Sequence, residues 1–224
     1  MAINLSKGQR INLEKKTGTQ LTQFCVGCNW GAIIKSSFFG LKKDVVDVDV
    51  DLSCLMFDAA GNAIDHIWSP AYNFGGNRLG LPNGKLYSED KALHHTGDDL
   101  TGDTDGDDGL DNEIITVDLT RVNPRVNSIV FFLNIYNNEQ YSGDFSGIPY
   151  AYIRMFEGVP ERPPRNVFAQ YDVSTQQNCV GMRGLVMGKL YRKNGVWEFQ
   201  AIGDAFPDRG ISQTIVRVIK DYNK

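Results

Sequence analysis

The chain has 224 residues, of which 42% are hydrophobic and 22% charged, and this composition predicts a packed core and excludes a largely disordered protein. Its 23 basic and 27 acidic residues give a formal net charge of −4 without a basic block, which argues against nucleic acid as a partner. The chain has no apolar run of the roughly 18–20 residues that cross a bilayer and no apolar signal-peptide core, so we expect a cytoplasmic protein without a transmembrane segment.

Short alternating segments between turn signals predict strands along most of the chain. The predicted strands cover residues 4–5, 10–13, 21–30, 44–57, 63–68, 113–119, 128–136, 150–156, 185–192 and 196–202. Residues 58–62 predict a hairpin turn, and Asn194-Gly195 is a strong short-range hairpin signal.

One segment, 212–222, has convincing helical spacing. Ile215, Ile219 and Tyr222 fall on its apolar face, and Ser212 is suited to cap its first turn. A single C-terminal helix after about ten strands predicts an all-β fold. We therefore expect a β-sandwich of two mostly antiparallel sheets with a short C-terminal helix.

No linker divides the chain, and we expect one domain over residues 1–224. Two long loops stand out in this domain. Residues 73–95 are rich in Gly, and residues 97–112 are rich in Asp. A long loop in a compact domain is usually functional or disordered, so both are candidates for function.

The four cysteines do not predict a metal site. Cys25 and Cys28 form the single C-x-x-C motif, which excludes a four-thiolate zinc site within one chain. Residues three apart on a strand point to opposite faces, so the two thiols are expected to diverge. We expect reduced, buried cysteines.

The first acidic segment is residues 46–52, which alternate strictly between apolar residues and aspartates. Asp47, Asp49 and Asp51 therefore share one face of the predicted strand. Neighbouring carboxylates on that face lie roughly 6.6–7 Å apart and repel, and Asp is disfavoured in strands. A solvated outer face is the alternative, but three carboxylates in this pattern favour neutralisation by a cation.

The second acidic segment is the 97–113 loop, which carries eight acidic residues and neither Lys nor Arg. Many carboxylates favour Ca²⁺, which accepts about six to eight oxygen ligands, over Mg²⁺, which requires octahedral geometry. The spacing does not fit an EF-hand, because with Asp103 as position 1 of the loop, position 6 is Asp108 instead of Gly and position 12 is Ile114 instead of Glu. A disordered acidic loop is the alternative.

Short motifs follow one another in a fixed order over almost the whole chain. They include VDVDLS at 48–53, HTGDDLTG at 95–102, GKLYR at 188–192 and WEFQAIG at 197–203. In these motifs the chain resembles the TerD-type tellurium-resistance and general stress protein family. The resemblance implies a calcium-binding β-sandwich without established catalytic activity. It also implies partners among other stress and tellurite-resistance proteins, with a membrane-associated complex as one option.

Matching these motifs residue by residue assigns a candidate metal site. The family's acidic strand corresponds to residues 49–51, and its loop corresponds to 97–102, with Asp99 in place of an Asn. Its acidic end corresponds to residues 107–113. The insertion 109–112 in this segment leaves undecided which of its side chains are metal ligands. The resemblance thus implies one or two Ca²⁺ ions with candidate ligands Asp49, Asp51, Asp98, Asp99, Asp107, Asp108, Asp111, Asn112 and Glu113.

The chain also departs from the family pattern in three places, one of which is Asn137, where the family often has an Asp after Ile-Tyr. Gly31 stands where the family usually has an Asp after the tryptophan, which puts one metal ligand or helper in doubt. The segment 75–91 is longer than the usual family loop, and the sequence does not indicate its purpose.

Two rival functions are weighed against this one. A Ca²⁺-dependent membrane- or ligand-binding module, C2-like by analogy, would use Tyr72, Phe74 and Tyr141 as contacts, although ordinary packing is the simpler interpretation. A metal-dependent hydrolase would need His94 and His95, which point to opposite sides if both lie on one strand. We therefore predict a non-enzymatic protein in which Ca²⁺ orders the acidic loop and presents a partner-binding surface.

Overall fold

The computed structural model describes residues 3–4, 6–13, 18–37, 42–76, 78–136 and 141–224. Fourteen strands precede one α-helix in this part of the chain. They are β1 (Ile3–Asn4), β2 (Arg10–Asn12), β3 (Gln23–Trp30), β4 (Ile33–Ser37), β5 (Lys42–Val46), β6 (Val50–Phe57), β7 (Ala63–Ile67), β8 (Leu93–His95), β9 (Glu113–Asp118), β10 (Ser128–Ile135), β11 (Ala151–Glu157), β12 (Asn166–Asp172), β13 (Gly184–Lys193) and β14 (Val196–Phe206). The helix α1 is Ile211–Asp221, and two 3₁₀ turns cover Phe145–Gly147 and Gln177–Cys179.

Twelve of these strands form two six-stranded sheets. Sheet A has the order β1-β12-β11-β3-β9-β8, and sheet B has the order β2-β14-β13-β10-β6-β7. Every pairing in them is antiparallel except that of β1 with β12. Strands β4 and β5 form a separate hairpin. The predicted all-β sandwich with a C-terminal helix is therefore confirmed.

The main core lies between the two sheets and follows the alternation of the strands. On β6, Leu52 and Met56 join this core, whereas Leu55 and Phe57 belong to a second cluster under α1. Burying each such side chain contributes roughly 1.5–3 kcal/mol. The helix packs its apolar stripe on that second cluster and so covers the outer face of sheet B.

The N-terminus of α1 differs from the prediction. The N-cap is Gly210, which has no side chain to form a capping hydrogen bond, and Ser212 lies inside the first turn. Local side-chain hydrogen bonds hold the start of the helix instead. Gln213 Oε1 accepts from the backbone N–H of Arg209 at 2.6 Å, and Thr214 Oγ1 donates to Asp208 at 3.1 Å. The predicted cap at Ser212 is therefore wrong.

The predicted strand 44–57 is two strands with a break at residues 47–49. The chain leaves the hairpin with β4 at Val46 and joins sheet B at Val50, because β6 pairs with β10 and β7. Val46, Val48, Val50 and Leu52 are nevertheless all buried, so the predicted apolar face survives the break. The sequence reading missed β4, β8 and β12, of which β8 has three residues and lies in the predicted loop 73–95.

Two local predictions are confirmed. Asn194 and Gly195 have φ of 53° and 82° and connect β13 to β14 in a tight turn. Cys28 lies in the main core and Cys25 in an outer cluster with Ile114, so the thiols diverge, and both cysteines are free and buried. No helix among the described residues is both long and apolar enough to cross a membrane.

Candidate metal centre

Three carboxylates that are distant in the sequence meet at one end of the sandwich. Asp49 directly precedes β6, Asp51 is the second residue of β6, and Asp98 lies on the loop between β8 and β9. One oxygen from each carboxylate lies within 4.8 Å of the other two. We call these residues the inner acidic group. Asp49 and Asp51 are only 7% and 2% exposed, whereas Asp98 is exposed at the mouth.

The inner acidic group has no cation of its own among the described residues. Burial raises the pKa of Asp49 to about 7, and the nearby carboxylates of Asp98 and Asp99 add to the effect. Burial, together with Glu113 and Asp49, raises the pKa of Asp51 well above its usual range. Asp49 Oδ1 is buried without a hydrogen-bond partner. The raised pKa values mean that ionising these carboxyls without a cation is unfavourable, and no Lys or Arg among the described residues offsets that cost.

Glu113 fastens the two sheets together beside this group. Its Oε2 accepts from the backbone N–H of Leu52 at 2.6 Å, and its Oε1 accepts from that of Asp99 at 3.3 Å. Burial also raises the pKa of Glu113 well above its usual range. Glu113 is thus a brace between β9, β6 and the acidic loop, with its carboxylate at the base of the pocket.

His95 is a neutral structural residue in this arrangement. Its Nε2 lies 3.1 Å from the carbonyl oxygen of Leu52, and its Nδ1 accepts from the N–H of Gly97 at 3.1 Å. These bonds place the proton on Nε2. Burial lowers the pKa of His95 to about 4. Both ring nitrogens thus bond to the backbone, and Nε2 also lies 3.3 Å from Oε2 of Glu113.

His94 points away from His95, as the sequence predicts for neighbours on a strand. Its ring stacks on Tyr87 with centroids 4.1 Å apart. Neither histidine belongs to a cluster of potential metal ligands in the described part of the chain. The geometry gives the zinc-hydrolase interpretation no support, because zinc prefers nitrogen and sulfur ligands.

Three further carboxylates of the loop form an outer acidic group, namely Asp103, Asp107 and Asp108, which also have oxygens within 4.8 Å of one another. This group is more exposed, and neighbouring donors already satisfy part of it. Tyr150 donates to Asp103 at 2.7 Å, and Tyr152 donates to Asp107 at 3.0 Å. Asn29 Nδ2 donates to Asp107 at 3.1 Å, while Asn29 Oδ1 is buried without a partner.

Asn112 connects the loop to the sheet and contacts Asp103 of the outer acidic group. Its Oδ1 accepts from the N–H of Trp30 at 2.8 Å, and its Nδ2 donates to Asp99 and Asp103 at 3.3 and 3.2 Å. Asp99 Oδ1 in turn accepts from the N–H of Gly102 at 3.1 Å. These two predicted ligands therefore act as braces of the loop in this structure.

Asp111 lies outside both acidic groups and has its own cation. Its carboxylate pairs with Arg154 Nε at 2.9 Å, and Arg154 also donates to the carbonyl oxygen of Gly109 at 2.9 Å. Burial raises the pKa of Asp111 to about 6, and Arg154 opposes this rise. A Cβ on Gly27 would lie 2.2 Å from Asp111 Oδ2, so a glycine is needed there. Of the predicted ligands, Asp111 is the one that pairs with a Lys or Arg among the described residues.

Trp30 is the surface on which the loop rests. Its indole Nε1 donates to the carbonyl oxygen of Val48 at 2.6 Å. Gly102 lies against the indole with φ of 72°, and a Cβ there would be 2.4 Å from the ring. Gly31 faces Tyr150 in the same way, at 2.6 Å. Only glycine allows such close approach, and the positive φ of Gly102 requires it as well.

Sequence reasoning missed several partners of the carboxylates. Tyr72 donates to Asp51, and Tyr150 and Tyr152 donate to Asp103 and Asp107 of the outer acidic group. The sequence shows Asp103 as part of the acidic loop. It does not show that these tyrosines contact the carboxylates, because the contacts depend on long-range strand pairing. Tyr72 is half-buried and Tyr141 is buried, which fits ordinary packing and not exposed membrane contacts.

Comparisons with known proteins found a matching family and several similar chains. The family described as the TerD domain matches residues 1–216. The chain is 31% identical to the stress response protein SCP2 of Bacillus subtilis (strain 168), covering 98% of this chain and 100% of that protein. It is 30% identical to the tellurium resistance protein TerZ of Serratia marcescens, covering 93% of each.

A solved structure supports the fold. It is a homologue of the telluride resistance protein TerD from Streptomyces coelicolor A3(2), with a TM-score of 0.59 and 14% identity, covering 91% of this chain and 98% of that chain. At this identity the likeness concerns the fold alone.

Proposed function

Because this chain belongs to the TerD domain family of tellurium-resistance and stress proteins, we propose that it binds Ca²⁺ at the inner acidic group without catalysing a reaction. One observation carries the proposal. Asp49 and Asp51 are buried beside Asp98 with no cation among the described residues, and Asp49 Oδ1 has no hydrogen-bond partner. Buried charges are normally paired or bound to metal.

The chemistry of the donors favours calcium among the common divalent ions. The inner acidic group supplies carboxylate oxygens only, and Ca²⁺ accepts about six to eight oxygens with flexible geometry. Asp49, Asp51 and Asp98 would hold the ion, and the Glu113 carboxylate lies at the base of the same pocket. The outer acidic group, with Asp107 and its neighbours, is the candidate for a second ion.

The proposed effect of Ca²⁺ is to order the acidic loop. Without the ion, the repulsion between the carboxylates of Asp98 and the β6 strand opposes closure of the loop. With the ion, the same charges become ligands and the closed loop is stabilised. The closed loop exposes Leu100, which is 57% exposed, next to the ion. We propose that this surface contacts another stress or tellurite-resistance protein, and a cytoplasmic location stays a prediction.

Calorimetric titration and thermal unfolding test the proposal together. At a free Ca²⁺ concentration of 100 times Kd, binding should stabilise the fold by about 2.7 kcal/mol. For a domain of this size, that corresponds to a rise in Tm of roughly 5–11 °C relative to chelator. Mg²⁺ at the same concentration should give a smaller rise.

Matched variants assign the effect to the site. Asp51→Asn should abolish the rise in Tm and the heat of binding. Asp221→Asn removes the same charge from the exposed end of α1 and should retain both. An unchanged Tm at millimolar Ca²⁺, or an equal response in Asp51→Asn and the unaltered chain, would rule out this site.

A further inference from the structure

The outer face of sheet A carries a groove that runs along β9. Ile115 and Val117 of this strand belong to the main core, so Ile114, Thr116 and Asp118 face outward. Two cavities of about 750 and 730 Å³ lie on this outward face. The single α-helix of the described chain packs on sheet B, and so it does not cover this face of sheet A.

The two cavities adjoin and form one groove. They share His94 on β8, Thr116 on β9 and Pro160 in the 158–165 segment that follows β11. This segment is one wall of the groove, and its Val159 side chain is 45% exposed. From residue 114 at one end of the groove to residue 118 at the other, β9 spans roughly 13 Å. An extended peptide of about five residues has the same length.

One end of the groove is acidic. Asp98, Asp99 and Glu161 line this end, and neither Lys nor Arg does. Asp111 lines it as well, but Arg154 pairs with that carboxylate. Asp98 and Glu161 are exposed, so a cationic group of a ligand can reach their carboxylates from the solvent.

The other end of the groove is basic. Lys91, Arg121 and Arg165 line this end, all three are exposed, and none forms a salt bridge within the described ranges. Asp118 and Glu157 also line it, so three positive and two negative side chains leave a charge of +1. Both carboxylates already accept hydrogen bonds from side-chain amides, at 3.0 and 3.2 Å. An acidic group of a ligand is therefore favoured at this end.

We infer that this groove binds an extended peptide segment of a partner protein, with a basic and an acidic residue four positions apart. The basic residue lies near Glu161 and the acidic residue near Arg165. The residue midway between them faces the same way in an extended chain, so an apolar side chain there meets Pro160. Opposite charges at the two ends disfavour a peptide with charge of one sign.

The inference rests on the partner-binding role proposed above and names the chemistry of the partner. It requires the acidic loop to be closed as in this structure, whether or not Ca²⁺ closes it. Asp98 lines the groove and also belongs to the inner acidic group, but Glu161 belongs to the groove alone. Peptide binding and Ca²⁺ binding can therefore fail independently of each other.

NMR titration of the ¹⁵N-labelled full chain in saturating Ca²⁺ tests the inference with synthetic peptides. The test peptide is acetyl-Lys-Thr-Val-Thr-Glu-amide, and forms with Gln in place of Lys, Glu or both are controls. The test peptide should shift the amide resonances of His94 and Thr116. It should bind about two- to fivefold more tightly than either singly substituted control, because each end contributes an exposed ion pair.

A peptide of the same composition tests the spacing of the two charges. In acetyl-Thr-Lys-Val-Glu-Thr-amide the charged residues are two positions apart, which is too short to reach both ends of the groove. It should bind about twofold or more weakly than the test peptide. The heat of Ca²⁺ binding is measured separately, so peptide binding without that heat would support the groove and reject the metal site.

Charge reversal assigns the effect to the groove. Arg165→Glu changes the basic end from +1 to −1, so acetyl-Lys-Thr-Val-Thr-Lys-amide should then bind more tightly than the test peptide. Arg125→Glu makes the same change at an exposed position that lines neither cavity, and it should keep the original preference. A Thr116 resonance that does not move at the solubility limit, equal affinities of the test peptide and the neutral control, or the same preference in both variants would each overturn the inference.

Discussion

Asp111 and the inner acidic group belong to the same acidic end of the molecule, but they differ in whether a basic side chain pairs with the buried carboxylate. Asp111 is buried and pairs with Arg154 at 2.9 Å. Asp49 and Asp51 are buried to a similar degree, and no Lys or Arg among the described residues pairs with them. Burying an unpaired charge is costly. The comparison teaches that the chain supplies a permanent cation at Asp111 and none among the described residues at Asp49 and Asp51, which is where we propose that Ca²⁺ binds.

The largest expected effect comes from removing the permanent cation. Arg154→Met leaves the Asp111 carboxylate buried and unpaired, and we expect a loss of about 3–5 kcal/mol in the free energy of unfolding at pH 8. Urea unfolding measures this loss. The double variant Arg154→Met/Asp111→Asn should recover more than half of it. A single variant as stable as the unaltered chain would break the comparison, because Asp111 would then need no cation.

The second expected effect is on the pH dependence of the metal-free protein. The pKa of Asp49 is about 7 in the folded state and about 3.9 in the unfolded chain, so the folded state binds the proton more tightly. Stability is therefore fully present below about pH 4 and is lost as pH rises to about 7. In chelator we expect a fall of about 2–3 kcal/mol between pH 5 and pH 8.

Two controls separate the contribution of Asp49 from the rest of the chain. Asp49→Asn should flatten the fall, and Asp221→Asn, at an exposed position, should retain it. Saturating Ca²⁺ at pH 8 should reverse the fall in the unaltered chain. The measurement is urea unfolding across the pH range, and a stability that rises from pH 5 to pH 8 in chelator would contradict the assignment.

The third expected effect separates loop geometry from charge. Gly102→Ala places a methyl group 2.4 Å from the Trp30 ring at a positive φ, and we expect a loss of about 2 kcal/mol and weaker Ca²⁺ binding. Gly106→Ala lies in the same loop at φ of 96° with no atom within 4 Å of the added methyl group. It should cost about 1 kcal/mol. Equal Ca²⁺ affinities in the two variants would show that the contact with Trp30 does not position the site.

The smallest expected effect concerns the hydrogen bond from Tyr72 to Asp51. This bond stabilises the ionised carboxylate and lowers the pKa of Asp51 against the larger effect of burial. Tyr72→Phe should cost about 1 kcal/mol in chelator at pH 8. Tyr136→Phe, whose ring lies 5.8 Å from that of Tyr72, should cost less. A Tyr72→Phe variant that is more stable at pH 8 would show that the carboxylate is protonated there.

Local patterns were sufficient for much of the fold. The alternation of apolar and polar residues predicted the core strands. The turn at Asn194-Gly195 was predictable because these two residue types favour the positive φ angles that the turn needs. The same reasoning missed the break at residues 47–49 and the strand β12, because strand boundaries depend on which partner strand is available. It also placed a cap at Ser212, whereas the helix begins after Gly210, and side-chain oxygens of Gln213 and Asp208 accept hydrogen bonds at its start.

For the candidate site too, the sequence determined one part and the tertiary structure the other. Residue types and spacing by themselves determined that acidic segments at 46–52 and 97–113 are candidates for oxygen-based metal binding, because carboxylate chemistry is a property of the side chain. Only the tertiary structure decided which carboxylates share a pocket, since burial and partners come from distant strands. It joined Asp98 to Asp49 and Asp51, paired Asp111 with Arg154, and turned Asn112 and Glu113 into braces.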